Sequence, residues 1–390
     1  MARAMATAVT LAAAMGVLTF AAPVHAQDAP EDPARFDVGA ILAMTGSAPY
    51  YGQVMSRSAR MAAEEINAEG GIGGVEINLI VEDHQSGRAR EGVAAMNRLL
   101  SLHNTQAVLS SFSPPTLAIA PIADREGVFV INGGGVSSAL IKASRYMVHN
   151  RMLTSALAAG VVVRAQELGC GRMAIVHWQT DAGDSARDIF REHGEEAGIE
   201  IAAVESVVQG VGNVDTQVAK IRASRPECVA LGLFQPEVGL VVKRLRELGI
   251  DVPVIGVEWT GEDARIADRH GEGYEYINEV FLPTDDNPWS VEFYNAYVER
   301  FDQEPDIYAA NYYEGMYVIA ELIRRAREDG GDYWDGAKLY QKLEEDPIFP
   351  SVYAETMTFD LETGVAQKPV ALFRVDANGE GQFQRYVDAE

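Results

Sequence analysis

The sequence is poor in the residues that usually signal catalysis or metal binding. It has two cysteines and seven histidines in 390 residues. The histidines are scattered, one of them in the N-terminal leader, and none falls at metal-ligand spacing. There is no GxSxG elbow, no GxxxxGK phosphate loop and no HExxH pair. GGIGG at 70–74 is not a dinucleotide fingerprint, because Glu76 stands where the third glycine belongs. His177, at a strand end, reads as a packed side chain. Distant residues can still assemble a triad, but nothing here asks for an enzyme, a cofactor or a metal. Positive charge is also scarce: 32 Lys and Arg face 57 Asp and Glu, a formal net charge of −25. Such a surface argues against nucleic acid and against docking on anionic lipid. Beyond the leader no apolar run reaches the ~18–20 residues of a membrane span; LTSALAAGVVV is cut short by Arg164.

What is present begins with that leader. Arg3 is its only charge, residues 6–22 are apolar, and small residues stand at Val24 and Ala26. This is the pattern of a secretory signal peptide over 1–26, cleaved after Ala26. No cysteine adjoins the cleavage point, so the expected product is a soluble periplasmic protein without a lipid anchor. Export makes pairing of Cys170 and Cys228 chemically possible. Cys170 precedes the strand-like RMAIVHW and Cys228 begins CVALGLF. If those strands are neighbours, the sulfurs meet at one end of the sheet. Two buried thiols are the alternative; compartment and placement favour the disulfide.

Short apolar runs alternate with helical periodicity. FDVGAILAM leads into a helix over 53–67, where Met55, Ala59, Ala62, Ala63 and Ile66 share one face. NAEGGIGG ends it with glycines suited to the left-handed conformation. VEINLIVED, a helix at 88–102, a strand at 107–112, a helix at 115–126 and a strand at 128–132 continue the rhythm. A second set runs from MLTSALAAGVVVRAQELG to VPVIGVEW. Two α/β sets predict two doubly wound, mostly parallel lobes joined near 146–151. Amphipathic helices over 289–302 and 309–328 follow, then strand-like YAETMTFD, VALFRV and GQFQRYV.

Ligands of open parallel sheets bind beyond the carboxyl ends of the strands. Those ends carry TGSAPYYGQ, SSFSPPT and NGGGVSS in the first half, and HWQTDAGDS, LFQPEVG and GVEWTGED in the second. Ser113 is placed as an N-cap and Pro114 at the first helical position, which leaves later amides free for a carboxylate. Gly133, Gly134 and Gly135 let backbone approach a ligand. Glu258 offers a charge to an ammonium, and Tyr51, Phe234 and Trp259 wall the apolar remainder. Each feature also has an ordinary explanation: a good cap, a tight turn, a solvated acid, a core aromatic. Their joint position at the strand ends of two lobes is what points to a zwitterion held between them.

FDVGAILAMTGSAPYYGQ, MAAEEINAEGGIGG, INLIVEDHQS, APIADREGVFVI, LFQPEVGLVVKRLRELGIDVPVIGVE and PDIYAANYYEGMYVIAELI together resemble the leucine/isoleucine/valine-binding protein family. These are type I periplasmic substrate-binding proteins of ABC transporters, and the resemblance covers nearly the whole chain after the leader. It implies a three-segment hinge near 147–151, 281–285 and 353–357. The lobes would then be 36–148 plus 284–354, and 149–283 plus 355–390. It also implies capture of an amino acid or similar carboxylate by hinge closure, and delivery to membrane permease subunits. Amide, urea-like or aromatic carboxylate ligands, or a sensor role beside a signalling partner, are the alternatives. Position by position, Ser113 matches the hydroxyl that holds the carboxylate, Gly134 a backbone contact, Tyr51 an aromatic wall and Glu258 the acid on the ammonium. Val136 replaces a frequent threonine, Ala182 stands where an aromatic is common, and Phe234 replaces a tyrosine. These departures imply an enlarged or differently polar pocket.

Overall fold

A computed structural model describes residues 35–330 and 333–387; the leader and its expected cleavage point lie outside the described residues. The chain opens with β1 (Arg35–Leu42), α1 (Pro49–Ala68), β2 (Glu76–Asp83), α2 (Ala89–His103), β3 (Ala107–Ser110), α3 (Ser113–Glu126), β4 (Phe129–Asn132) and β5 (Met147–His149). These strands form an all-parallel sheet in the order β2-β1-β3-β4-β5. The second set is α4 (Thr154–Glu167), β6 (Arg172–Trp178), α5 (Asp181–Glu196), β7 (Glu200–Val207), α6 (Asp215–Ser224), β8 (Cys228–Gly232), α7 (Glu237–Glu247), β9 (Val254–Gly256), α8 (Gly261–Ala267) and β10 (Glu275–Glu279). Next come α9 (Pro288–Phe301), α10 (Ile307–Glu328), α11 (Gly336–Glu345), a small hairpin of β11 (Ile348–Pro350) and β12 (Thr356–Thr358), and finally β13 (Val370–Val375) and β14 (Gly381–Val387). The second sheet runs β14-β13-β10-β9-β8-β6-β7. β13 is its one reversed strand, antiparallel to both β10 and β14.

In each sheet the chain winds to one side and then to the other, so the strand order reverses beside β1 in the first and beside β6 in the second. Such reversals leave a crevice at the carboxyl ends of the strands. Both sheets are two-sided and therefore nearly continuous in apolar residues: β3, β4 and β8 are buried along their full length. α1 lays Met55, Ala59, Ala62 and Ile66 on the first core, where α10 contributes Tyr312, Met316, Ile319 and Ile323. The doubly wound architecture read from the sequence is thus the one observed.

Several boundaries differ, for local reasons. α1 starts at Pro49 instead of residue 53, since proline is preformed for a first helical turn. The strand read over 107–112 stops at Ser110, because Phe112 turns away with φ +61°. The periodic reading passed over α8 and α11, and YAETMTFD is a strand only at Thr356–Thr358. The third passage between lobes falls later than 353–357: Met357, Phe359 and Ala366 all sit in the first core. The β11–β12 hairpin buries Phe349 and Met357 there before the chain leaves.

The three passages meet in a polar knot. Met152 N–H donates to the Glu279 carboxylate. Asn150 Nδ2 donates to the Asn311 carbonyl at 2.8 Å. Lys368 Nζ, fully buried, reaches Glu314 Oε2 at 2.9 Å and Asn311 Oδ1 at 2.5 Å. In the second lobe Cys170 and Cys228 are disulfide-bonded with Cα atoms 5.9 Å apart. β6 and β8 are indeed neighbours, Met173 lying opposite Cys228. Closing a loop of 58 residues stabilises the fold by roughly 4 kcal/mol in the chain-entropy model.

Candidate ligand-binding site

A cavity lies where the carboxyl ends of the two sheets face one another. From the first lobe come Tyr51 and Met55 of α1, the Phe112–Pro114 turn, Gly134 and Val136 after β4, and Tyr308 at the start of α10. From the second come Trp178 and Thr180 after β6, Ala182 in the first turn of α5, Gln209 after β7 and Phe234 after β8. About 420 Å³ here is unfilled by atoms, counting the part open to solvent. The space is narrow and suits a small solute. No lining residue carries a formal charge.

Seven of the residues singled out in the sequence share this cavity: Tyr51, Ser113, Pro114, Gly134, Val136, Ala182 and Phe234. Their chemistry differs in places from the expectation. Ser113 begins α3, and Phe112, not Ser113, holds the N-cap position. The Ser113 Oγ instead accepts from Val136 N at 3.1 Å and Ser137 N at 3.0 Å, tying the turn after β3 to the loop after β4. Both lone pairs are thereby used and the hydroxyl proton remains to be donated. The expected row of free amides shrinks to one. Pro114 and Pro115 have no N–H and Thr116 N–H already bonds the Phe112 carbonyl, which leaves the Ser113 amide. Gly135 N and Val136 N are committed to Asn132 Oδ1 and Ser113 Oγ. Gly135 itself lies outside the lining. At Gly134 a Cβ would meet the end of the Met55 side chain, Cε, at 2.8 Å, so a larger residue there would have to move that side chain.

Glu258 is not at the cavity surface. It is 1 % exposed, and both of its oxygens are occupied. Oε1 accepts from the Tyr51 hydroxyl and from Gln235 N at 3.2 Å, and Oε2 from the Tyr308 hydroxyl. Arg151, at 0 % exposure, stands behind with Nη2 3.8 Å from Oε2 and its guanidinium 4.5 Å from the Tyr308 ring centre. Burial pushes the Glu258 carboxyl above the ordinary carboxylate range, against the pull of Arg151, the tyrosine hydroxyls and Gln235. Burial also works against the Arg151 charge, yet Tyr308, Glu279 and Glu258 around it keep the guanidinium protonated. The expected ammonium contact is therefore replaced by contacts within the protein. Trp259 is displaced as well. Its ring lies 5.1 Å from Tyr274, tilted by 38°, and its Nε1–H donates to the Gly379 carbonyl at 2.9 Å.

Tyr51 and Tyr308 on one side and Glu258 and Gln235 on the other bond directly across the cleft. The Ser137 and Ser185 hydroxyls add a second bridge at 3.0 Å. The structure is that of a closed form.

The sequence reading did not single out Met55, Phe112, Trp178, Thr180, Gln209 or Tyr308. Trp178 and Tyr308 lay within quoted segments, at a strand end and a helix start. Gln209 had no local signal. Trp178 lines the same cavity as Ala182, its ring 5.2 Å from Phe234. It is fixed by Glu237, whose Oε2 accepts from Trp178 Nε1 at 3.0 Å while Oε1 accepts from Gly210 N at 2.6 Å. Among the described residues no cluster could hold a metal ion, and no helix is long and apolar enough to cross a membrane.

The family model described as "Periplasmic binding protein" matches residues 36–380. The chain belongs to that family. An "Amino acid binding protein" of Pseudomonas aeruginosa is 26% identical over 311 residues, covering 78% of this chain and 81% of its own. A leucine-, isoleucine-, valine-, threonine- and alanine-binding protein of the same organism is 22% identical, covering 73% and 77%. Among solved structures, a leucine binding protein of Thermotoga maritima superposes with TM-score 0.81 at 22% identity, over 90% of this chain and 99% of that one. A solute binding protein of an ABC transporter from Rhodopseudomonas palustris, in complex with 3,4-dihydroxybenzoic acid, does so with TM-score 0.78 at 20% identity, over 92% and 98%. These likenesses establish the type I periplasmic binding protein fold, with its two lobes and shared cleft. The two Pseudomonas relatives are named as amino-acid-binding proteins and the Rhodopseudomonas structure as a solute binding protein.

Proposed function

We propose that this protein is the periplasmic solute receptor of an ABC importer. It encloses a small carboxylate between its lobes and hands it unaltered to membrane permease subunits. The observation that carries this reading is the narrow, uncharged cavity lined from both lobes at their strand ends and bridged by hydrogen bonds across the cleft. Such a site is complete only when the lobes are together, so a solute that touches both walls shifts the open–closed equilibrium. The Ser113 amide and hydroxyl supply donors for an anionic oxygen, and the aromatic side chains hold the apolar body. Relatives named for amino acids and for aromatic acids support the carboxylate class. The leader over 1–26 supports export.

A thermal-shift screen of amino acids and aromatic or aliphatic monocarboxylates tests this. A true ligand at a hundredfold excess over Kd stabilises by ~2.7 kcal/mol. Recovery of that ligand unchanged after prolonged incubation, together with uptake by vesicles carrying the permease, completes the case. A screen in which no carboxylate stabilises the protein, or one in which the ligand is converted, refutes it.

A further inference from the structure

We infer that the carried solute is an aromatic carboxylate without an α-ammonium, and that Gln209 donates a hydrogen bond to one of its oxygens. This rests on the small-carboxylate reading above and narrows it.

The electrostatics come first. The acid expected to take an ammonium, Glu258, is already satisfied by Tyr51, Tyr308 and Gln235 N, and it lies behind the two tyrosine rings. An ammonium reaching it would displace both hydroxyls and stand close to the fixed charge of Arg151, 3.8 Å from the same carboxylate. No other lining residue supplies a negative charge. A second positive group is therefore unwelcome.

The shape of the site points the same way. Tyr51, Phe112, Trp178, Phe234 and Tyr308 all present rings to the one cavity. Tyr51 meets Phe112 edge-on at 5.5 Å and Tyr308 at 4.8 Å, while Trp178 lies 5.2 Å from Phe234 in the opposite lobe. A further ring can join such edge-on and tilted pairs and gain ring–ring contacts beyond simple area burial.

Gln209 completes the argument. Its Nε2 group is buried and has no hydrogen-bond partner. A buried amide donor left unmet carries a free-energy penalty, which an acceptor oxygen on a solute would remove. Its backbone is held in place through Gly210 N, bonded at 2.6 Å to the buried Glu237 that also anchors Trp178. Ser113 offers its O–H from the first lobe, since its oxygen already accepts twice. The charge-free lining thus has donors in both lobes and room for oxygen acceptors, not for a cation.

Calorimetric titration of the purified protein with matched pairs decides the matter: 3-phenylpropanoate against L-phenylalanine, and 4-hydroxyphenylpropanoate against L-tyrosine, with benzoate, 4-hydroxybenzoate and L-leucine alongside. The expected result is that at least one ring-bearing acid binds and that each amino acid binds at least tenfold more weakly than its deaminated partner. Tighter binding of the amino acids, or of L-leucine over every aromatic acid, overturns the inference while leaving the small-carboxylate reading in place. Failure of every carboxylate to bind removes both. Gln209→Leu should weaken the bound aromatic acid at least tenfold without lowering Tm. An unchanged affinity in that variant, with its fold intact, overturns the role given to Gln209.

Discussion

Glu237 and Glu258 are both buried carboxylates of the second lobe, each near the cavity, yet their surroundings differ. Glu237 accepts from Trp178 and Gly210, both in its own lobe. Those bonds persist whether the cleft is open or shut, so Glu237 belongs to the wall. Glu258 depends on Tyr51 and Tyr308 of the other lobe, and only Gln235 N is local to it. Its bonds form when the lobes meet. One acid fixes the form of a surface and the other senses its partner surface. Arg151, on the first passage between lobes, supplies the charge that makes the second arrangement tolerable.

The sharpest way to break this contrast is Arg151→Met. Removing a buried cation beside Glu258 leaves the carboxylate uncompensated, and such losses run to ~3–5 kcal/mol. Urea denaturation should show a loss of that size; a change below ~1 kcal/mol would detach Glu258 from the guanidinium. Next comes Tyr51→Phe, which removes a hydroxyl bonded to a carboxyl group, an interaction worth ~1.5–3 kcal/mol. Here the cost should appear in the open–closed equilibrium, as a larger radius of gyration in solution scattering. An unaltered radius would deny Glu258 its dependence on closure. Glu237→Leu should cost ~1–3 kcal/mol by stranding Trp178 Nε1 and Gly210 N, and should shift tryptophan fluorescence while leaving the radius unchanged.

The smallest effect is one of pH. Burial raises the Glu237 carboxyl to about 7 against the donors that lower it. The folded state then holds this proton more tightly than the unfolded chain, whose value is near 4.5. The resulting stability is complete below about pH 4.5 and is lost as pH rises through about 7. Asp263, also raised to about 7 by burial, acts in the same direction. His84 and His149, lowered to about 4 by burial, oppose both as pH falls below 6.5. Glu237→Gln should remove only the first contribution, so the stability difference between it and the parent should change between pH 4.5 and 7. A constant difference would mean that Glu237 does not titrate there.

Much of the architecture was legible because parallel sheets covered on both faces impose short apolar runs separated by amphipathic helices. The missed helices had weak signals: α8 has seven residues, and its start is set by the side chains of Thr260 and Asp263. The extra β11–β12 hairpin moved the third passage because its anchors, Phe349 and Met357, look like any other apolar pair. Strand-end segments located most of the cavity, since loop position follows from topology. Side-chain direction did not follow: Glu258 and Trp259 are adjacent, yet one bonds Tyr51 and Tyr308 while the other packs on Tyr274. Of the amides expected beside Ser113, the one at Pro115 was absent from the sequence itself, while those of Gly135 and Val136 were lost to Asn132 and Ser113, pairings no single segment reveals. Gln209 was unreadable because an unmet donor is a property of its neighbours.

β13 lies between β10 and β14, so the second sheet acquires its antiparallel strand, next to the edge, only from residues 370–375. The first lobe likewise waits for α10 and α11 to cover it. A nascent chain emerging from the ribosome can finish neither half until nearly all of it has been made. For most of its synthesis the polypeptide is therefore without a completed lobe.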